Sequence, residues 1–242
     1  MIETPSPNHD RRPPGRAIEM LVLHYTGMPS ADEALARLCD AESKVSAHYV
    51  IGEAGELYAL VPEGARAWHA GVASWRGKSD INDASIGIEL VNPGHEWGYR
   101  PFPERQMAGL ERLAADVLAR HAIPKRNVVG HSDVAPGRKK DPGELFDWRR
   151  LARAGIGLWP SRPVVAGEMG LALEIGAAGS EVKALQEALA EFGYGIDPDG
   201  RFGTATRAVV EAFQRHFRPE RVDGIAEPET SQLLFQLLHL AA

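Results

Sequence analysis

Residues 20–27 read MLVLHYTG, and they give the clearest indication of architecture in the chain. The apolar run from Ile18 to Leu23, interrupted only by Glu19, is typical of a strand that is buried on both faces of a sheet. His24 closes the strand and Gly27 follows in a turn. The sequence therefore predicts a central strand that carries an imidazole to the edge of the sheet.

Further helices and strands are predicted on both sides of this segment. Periodicity and turn signals give helices over 31–41, 103–121 and 143–154, and strands over 18–24, 47–51, 56–61, 85–91 and 126–130. The first strand is expected soon after residue 16. This alternation predicts an α/β fold with a central mixed β-sheet flanked by helices.

The composition changes near residue 156, and this change suggests two domains. Residues 157–170 are rich in Gly and Pro and lack periodicity, which is typical of a linker. Three short helical patterns follow within 171–242. We therefore predict a larger domain over 1–156, a linker over 157–170 and a small C-terminal three-helix domain over 171–242.

Composition limits the classes of partner. The 242 residues carry a formal net charge of −6 and the sequence pI is about 5.9. An acidic chain is not suited to general binding of nucleic acid or anionic membranes. Neither a transmembrane run nor a secretory signal is recognisable, so we expect a cytoplasmic monomer, with the periplasm as the alternative.

His131 and Asp141 complete a set of potential metal ligands with His24. They bracket the segment GHSDVAPGRKKDPG, residues 130–143. Two neutral imidazoles and one carboxylate, with a fourth position left for water or substrate, form the ligand set of a catalytic zinc site. Taken singly, each residue has a simpler interpretation: a packed histidine at a strand end, or an aspartate in a turn.

The motifs that flank these residues favour the zinc site over packing and turn roles. LVLHYTG at 21–27, SAHY at 46–49, AWHAG at 67–71, SIGIEL at 85–90, GHSD at 130–133 and KKDPG at 139–143 occur in this order. Residues 17–155 thereby resemble the zinc-dependent N-acetylmuramoyl-L-alanine amidases of the amidase-2 type. The resemblance implies a Zn²⁺ cofactor held by His24, His131 and Asp141. It also implies hydrolysis of the amide between N-acetylmuramic acid and L-alanine.

The same resemblance implies two catalytic residues. Glu89, inserted in an apolar strand, corresponds to the base that takes a proton from water. Lys139 corresponds to the cation that stabilises the oxyanion, with the neighbouring Lys140 as its rival. From the residues alone, Glu89 on a solvent-facing edge and a solvated basic turn at 138–140 stay open as alternatives.

Four further residues are candidates for substrate binding. His48, Trp68 and His69 lie in the matching segments and Asn82 precedes the Glu89 strand. Packing roles are open for His48, which could also orient a metal ligand, and for Trp68. His216 has no matching motif and is expected to lie at the surface or at a helix end.

The C-terminal segment resembles the peptidoglycan-binding domain of type 1. The resemblance rests on GSEVKALQ at 179–186, DGRFGTAT at 199–206 and DGI at 223–225. It implies that peptidoglycan or muropeptide fragments are the partners of the chain. Two other functions remain open: a non-catalytic muropeptide receptor on the same fold, and a zinc peptidase that cuts within the stem peptide.

Overall fold

The computed structural model describes residues 1–160 and 171–241, so residues 161–170 of the predicted linker lie outside the described residues. The strands are β1 Ile2–Glu3, β2 His9–Arg11, β3 Met20–Tyr25, β4 Tyr49–Ile51, β5 Leu57–Ala59, β6 Ala65–Ala67, β7 Ser85–Leu90 and β8 Val128–Gly130. The helices are α1 Ala31–Cys39, α2 Gly94–Trp97, α3 Glu104–Arg120, α4 His131–Val134, α5 Trp148–Arg153, α6 Ser180–Phe192, α7 Thr204–Phe217 and α8 Pro228–Ala241.

Six strands form the central sheet in the order β1-β5-β4-β7-β3-β8. β3 pairs in parallel with β7 and β8, whereas β4 pairs antiparallel with β5. The predicted fold class, a mixed sheet flanked by helices, is confirmed. β2 and β6 form a separate antiparallel pair.

Strand β3 is buried on both faces, as its apolar run predicts. Leu21 and Leu23 belong to the cluster that includes the apolar stripe of α3. Met20 and Val22, which point to the opposite face, belong to a cluster shared with the C-terminal helices. The central sheet therefore lies between α3 on one side and the C-terminal helices on the other.

The predicted C-terminal three-helix arrangement is present as α6, α7 and α8. Its apolar core continues into the larger domain through Trp75, whose ring contacts Phe192 and Tyr194 edge-on, with centroids 6.0 and 5.1 Å apart. The backbone N–H of Arg76 also donates to the carbonyl of Gly193. The two sequence regions thus share one buried interface.

Two local predictions differ from the structure. β1 and β2 precede residue 16, because the N-terminal segment pairs with β5 and β6 although it lacks an apolar strand pattern. The helix predicted over 143–154 begins only at Trp148, where the side chain of Asp147 accepts the N–H of Arg150. Gly143 has φ +90, which is incompatible with a right-handed helix.

Candidate metal centre and active site

Three side chains converge where β3 and β8 end. His24 is in the penultimate position of β3, and His131 begins α4 directly after β8. His24 Nδ1 lies 2.9 Å from His131 Nδ1, and both nitrogens lie 3.0 Å from Asp141 Oδ2. All three residues are buried. The structure therefore brings the predicted ligand set together at one edge of the sheet.

A chain of buried hydrogen bonds fixes the tautomer of His24. The hydroxyl of Ser85 donates its proton to the carbonyl of Ile81, so its oxygen accepts from His69 Nε2 at 3.0 Å. His69 Nδ1 then carries a lone pair, which accepts the N–H of His24 Nε2 at 3.1 Å. By this inference from the network, His24 Nδ1 is left as a lone pair facing the site.

His131 is oriented by the backbone. Its Nε2 lies 3.0 Å from the carbonyl oxygen of Ala70, which can only accept, so Nε2 carries the proton and Nδ1 is free. Asn82 supports this segment, because its side-chain oxygen accepts the N–H groups of His69 and Ala70. The loop after β6 thus determines which nitrogen of His131 faces Asp141.

The donor set fits a metal cation. Two imidazole lone pairs and one carboxylate oxygen meet within 3.0 Å and no proton is left to share among them. Burial lowers the pKa of His24 to about 4, which keeps this ring neutral near pH 7. Such a convergence of electron pairs is favourable only around a positive ion. His24, His131 and Asp141 are the three residues of the described chain that can hold it together.

Glu89 stands beside these ligands in the adjacent strand. It pairs in register with His24 across β7 and β3, and its side chain lines the pocket over the site. Burial, reinforced by the charge of Asp141 and opposed by Lys139, raises the pKa of Glu89 well above its usual range. One carboxylate oxygen, Oε2, is buried without a hydrogen-bond partner. A carboxyl group in this state is suited to exchanging protons with a bound water molecule.

Lys139 and Lys140 both line the same pocket. Lys139 is half-buried and Lys140 is exposed. The backbone N–H of Lys139 donates to the carbonyl of Ala135, which anchors the loop after α4. Lys139 is also the cation whose charge acts on both Glu89 and His24. These observations favour Lys139 over Lys140 as the lysine whose charge acts on the site.

A cavity of about 440 Å³ opens over these residues. Trp68 and His69 line it, as do Tyr25, His95 and Arg138. His48 and Asn82 are buried and are not among the described residues that line it. His48 instead accepts the N–H of Gly87 through Nδ1, and burial beside Arg12 lowers its pKa to about 3.

Sequence reasoning missed the supporting roles of three groups near the site. Ser85 and the carbonyl of Ala70 fix the histidine tautomers, and the only signal was their position inside the SIGIEL and AWHAG motifs. Arg138 donates to the carbonyls of Ala70 and Val72 and so holds the loop beside His131. His216 was predicted at the surface or at a helix end: it lies in the last turn of α7, but it is buried against Asp133 and is not at the surface.

Fold and site together define a class of protein: hydrolases that hold a candidate metal centre at the strand ends of a mixed α/β sheet, with a carboxylate beside it. The chain belongs to the N-acetylmuramoyl-L-alanine amidase family, which residues 14–144 match. Residues 178–234 match a peptidoglycan-binding domain family. The prediction of an enzyme of the amidase-2 type is therefore confirmed.

Similar proteins of known sequence are themselves amidases. The chain is 41% identical over 233 residues to N-acetylmuramoyl-L-alanine amidase AmiD of Escherichia coli, covering 91% of this chain and 82% of that protein. It is 34% identical over 163 residues to 1,6-anhydro-N-acetylmuramyl-L-alanine amidase AmpD of Haemophilus influenzae, covering 60% and 86%. The likeness to AmiD extends through the C-terminal helices, whereas AmpD matches a smaller share of this chain.

Solved structures extend the similarity to the whole fold. The E. coli AmiD complex with anhydro-N-acetylmuramic acid-L-Ala-D-γ-Glu-L-Lys superposes with a TM-score of 0.78 at 37% identity, covering 95% of this chain and 93% of that one. AmpDh3 of Pseudomonas aeruginosa in complex with anhydromuramic pentapeptide gives a TM-score of 0.76 at 30% identity, covering 94% of each chain.

Among the described residues of this chain, no helix combines the length and apolar character needed to cross a membrane.

Proposed function

We propose that this chain is a zinc-dependent amidase that hydrolyses the bond between the lactyl group of N-acetylmuramic acid and L-alanine in muropeptides. The observation that carries the proposal is the convergence of His24, His131 and Asp141 beside the pocket-facing Glu89. Two imidazole nitrogens and a carboxylate suit zinc, and three protein ligands leave a position for the reaction. Zinc bound there would supply Lewis-acid polarisation of a carbonyl and acidify a water molecule.

The protein's own residues supply the proton transfers. Glu89 takes a proton from the attacking water, whose oxygen adds to the lactyl carbonyl carbon. Glu89 then delivers that proton to the departing nitrogen of L-alanine as the C–N bond breaks. Lys139 stabilises the negative charge that develops on the carbonyl oxygen. The products are a muramyl sugar with a free lactyl carboxylate and an intact stem peptide with a free amine.

The substrate class is supported by the cavity and by the relatives. A cavity of about 440 Å³ with Trp68, Arg138 and two lysines offers a ring for sugar or peptide contact and cations for carboxylates. The structures of AmiD and AmpDh3 hold anhydromuramic peptides. We infer that a muropeptide of this kind occupies the same cavity here, with Trp68 and Arg138 among its contacts.

We also propose that residues 171–242 form a peptidoglycan-binding module, with 1–156 as the catalytic domain. The match of residues 178–234 to a peptidoglycan-binding family supports this division. Binding should be measured by sedimentation of the full chain with purified cell-wall sacculi, with the active site blocked by Glu89→Gln. Retention in the supernatant at all concentrations of sacculi would contradict a wall-binding role.

The activity is tested by product analysis. The protein, with its zinc content quantified, is incubated with anhydro-N-acetylmuramic acid-L-Ala-D-γ-Glu-L-Lys, and products are identified by mass spectrometry. We expect release of the intact tripeptide, loss of this activity with a chelator and recovery with zinc. Tight binding without cleavage would indicate a receptor, and cleavage within the peptide would indicate a peptidase. Either result overturns the proposal.

A further inference from the structure

Asp133 is a buried carboxylate that joins the two halves of the molecule. It is fully buried in α4, two residues after His131. Its Oδ2 accepts the backbone N–H of Gly130 and His216 Nδ1, each at 2.7 Å. Its Oδ1 accepts the hydroxyl of Tyr194, also at 2.7 Å. Two of the three donors therefore come from the C-terminal module.

These two donors are held rigidly in place. The ring of His216 is stacked between Trp148 and Phe217, with centroids 3.7 and 3.8 Å away. Tyr194 is buried and packs edge-on against Trp75. A buried carboxylate that loses its donors is strongly unfavourable. The carboxylate of Asp133, in the turn that presents His131, therefore has all its hydrogen-bond donors only when the C-terminal module is docked.

A second link between α7 and the site starts at Arg215, the residue before His216. Arg215 Nε lies 3.4 Å from Glu144 Oε2, and Glu144 Oε1 lies 3.1 Å from His95 Nε2. His95 Nδ1 in turn lies 2.9 Å from the hydroxyl of Tyr25. Tyr25 and His95 both line the cavity over the metal ligands. A continuous polar path thus runs from α7 to the wall of the cavity.

The loop that carries Lys139 also packs on α7. A Cβ atom at Gly137 would lie 3.2 Å from Cβ of Ala208, and Gly137 has φ +74. The backbone of this loop therefore packs closely against the helix, and its positive φ at this position favours glycine. The turn that carries His131, the residues behind the cavity wall and the loop that carries Lys139 are therefore each linked to α7.

We propose that α7, together with Tyr194 in the segment before it, supports the active site from behind, and that Tyr194, Arg215 and His216 are positioning residues for the reaction. Tyr194 and His216 act through Asp133 and hold the turn that presents His131. Arg215 acts through Glu144 and holds the cavity wall. The C-terminal module is then required for cleavage of small soluble muropeptides, in addition to any contact with the polymeric wall. This inference rests on the proposed amidase function.

Two variants of His216 separate hydrogen bonding from packing. His216→Phe keeps a ring between Trp148 and Phe217 but removes the donor to Asp133. His216→Asn keeps an N–H near the position of Nδ1 but removes the ring. We expect His216→Phe to lower zinc affinity about 10-fold, the lower end of losses typical for groups behind metal ligands, and His216→Asn to lower it less. A role in packing alone would give the opposite order.

Tyr194→Phe is a milder version of the same test, because it removes one hydroxyl and keeps the core. Its matched control is Tyr58→Phe on β5, where the described structure shows no hydrogen bond to the hydroxyl. Zinc affinity is measured by chelator competition, and kcat and KM are measured on the soluble anhydromuramic tripeptide. We expect Tyr194→Phe to lower zinc affinity and kcat several-fold with the control unchanged.

The outcomes distinguish the two proposals. Unchanged zinc affinity and kcat in both Tyr194→Phe and His216→Phe would overturn the role of α7, even if the wild-type chain cleaves the substrate. A wild-type chain that binds zinc but does not cleave would overturn the amidase function, and the zinc affinities of the variants would still test α7. Circular dichroism of each variant confirms that the comparison is made on folded protein.

Discussion

At the scale of single residues, the hydrogen bonds behind His24 and His131 determine which ring nitrogen faces the candidate metal site. Ser85 sets the tautomer of His24 through the intervening ring of His69, which acts as a relay. The carbonyl of Ala70 sets the tautomer of His131. These partners are buried, so competition from water is small. The ligand geometry is thus set before any ion arrives, which lowers the cost of binding.

His69 offers a direct test of this relay. His69→Leu removes the acceptor for His24 Nε2, and we expect zinc affinity to fall about 10–100-fold. His69→Asn places an amide oxygen near the position of Nδ1 and should retain more of the affinity. Chelator competition on both variants gives the measurement. Equal affinities for wild type and His69→Leu would show that the relay has no role in metal binding.

The two neighbouring lysines give a second test at this scale. Lys139→Ala should lower kcat by about 10²–10³, the usual cost of removing a group that stabilises an oxyanion. Lys140→Ala, at the more exposed position, should change kcat little. Turnover of the soluble muropeptide at saturating substrate is the measurement. Equal, mild losses in both variants would assign the basic loop to solvent contact and not to catalysis.

The sequence could predict the ligands but not their supports. His24, His131 and Asp141 lie in local motifs, and the structure brings them together, while their role as zinc ligands stays a prediction. Asp133 and His216 are 83 positions apart, and neither residue type nor spacing signals their contact. Long-range partners of this kind depend on how two domains dock, which local patterns do not encode.

At the scale of secondary structure elements, Glu63, in the loop between β5 and β6, ties the start of β4 to the C-terminus of α3. Its carboxylate accepts hydrogen bonds from Tyr49, Arg120 and His121. Burial by itself would raise the pKa of Glu63, but these hydrogen bonds outweigh it and lower the pKa to about 2. The ionised form is therefore bound more favourably in the folded state than in the unfolded state.

This shift predicts a pH-dependent contribution to stability. A lowered folded-state pKa adds stability that is complete above the unfolded value near 4.5 and is lost as pH falls toward about 2. Because the partner Arg120 is about half exposed and solvent screens the pair, Glu63→Gln should cost about 1–2 kcal/mol at pH 7 and almost nothing near pH 2. Denaturant unfolding at both pH values is the measurement.

Glu53→Gln is the control for this comparison, because Glu53 pairs with Arg100 at the exposed surface. Glu53→Gln should lower the free energy of unfolding by less than about 1 kcal/mol at any pH. A cost for Glu63→Gln that does not change between pH 7 and the acid range would contradict the assigned role of the carboxylate.

The sequence predicted α3 almost to its ends but gave no indication of β1 and β2. The apolar stripe of α3 predicted a helix over 103–121, and the helix spans Glu104–Arg120. β1 and β2 contain two and three residues, nearly all polar, and form by pairing with β5 and β6. Their existence depends on an available sheet edge, which the segment itself does not reveal.

At the scale of the whole molecule, two predicted domains share one core. Apolar residues on one face of β3 pack in the same cluster as Phe192, Phe213 and Phe217 of the C-terminal helices. The shift in composition near residue 156 predicted two domains, and that division stays a prediction. The apolar pattern of β3 indicated that both faces of this strand are covered. Because α3 covers only one face, the other face needed a second layer, which the C-terminal helices supply.

Metal binding should stabilise the whole chain. A ligand that binds only the folded state at about 1,000 times its Kd adds about 4 kcal/mol. For a chain of this size that corresponds to a rise in Tm of about 10 °C. We expect this rise when zinc is added to chelator-treated protein, and its absence in His24→Ala. Differential scanning calorimetry gives both values, and an equal rise in both proteins would place the ion elsewhere.

The position of bond cleavage tests the central claim most directly. Zinc-loaded protein is incubated with the anhydromuramic tripeptide in water enriched in heavy oxygen, and both products are weighed by mass spectrometry. We expect one heavy oxygen in the lactyl carboxylate of the sugar and none in the tripeptide. Label in a carboxyl group of the peptide, or unchanged substrate, would contradict it.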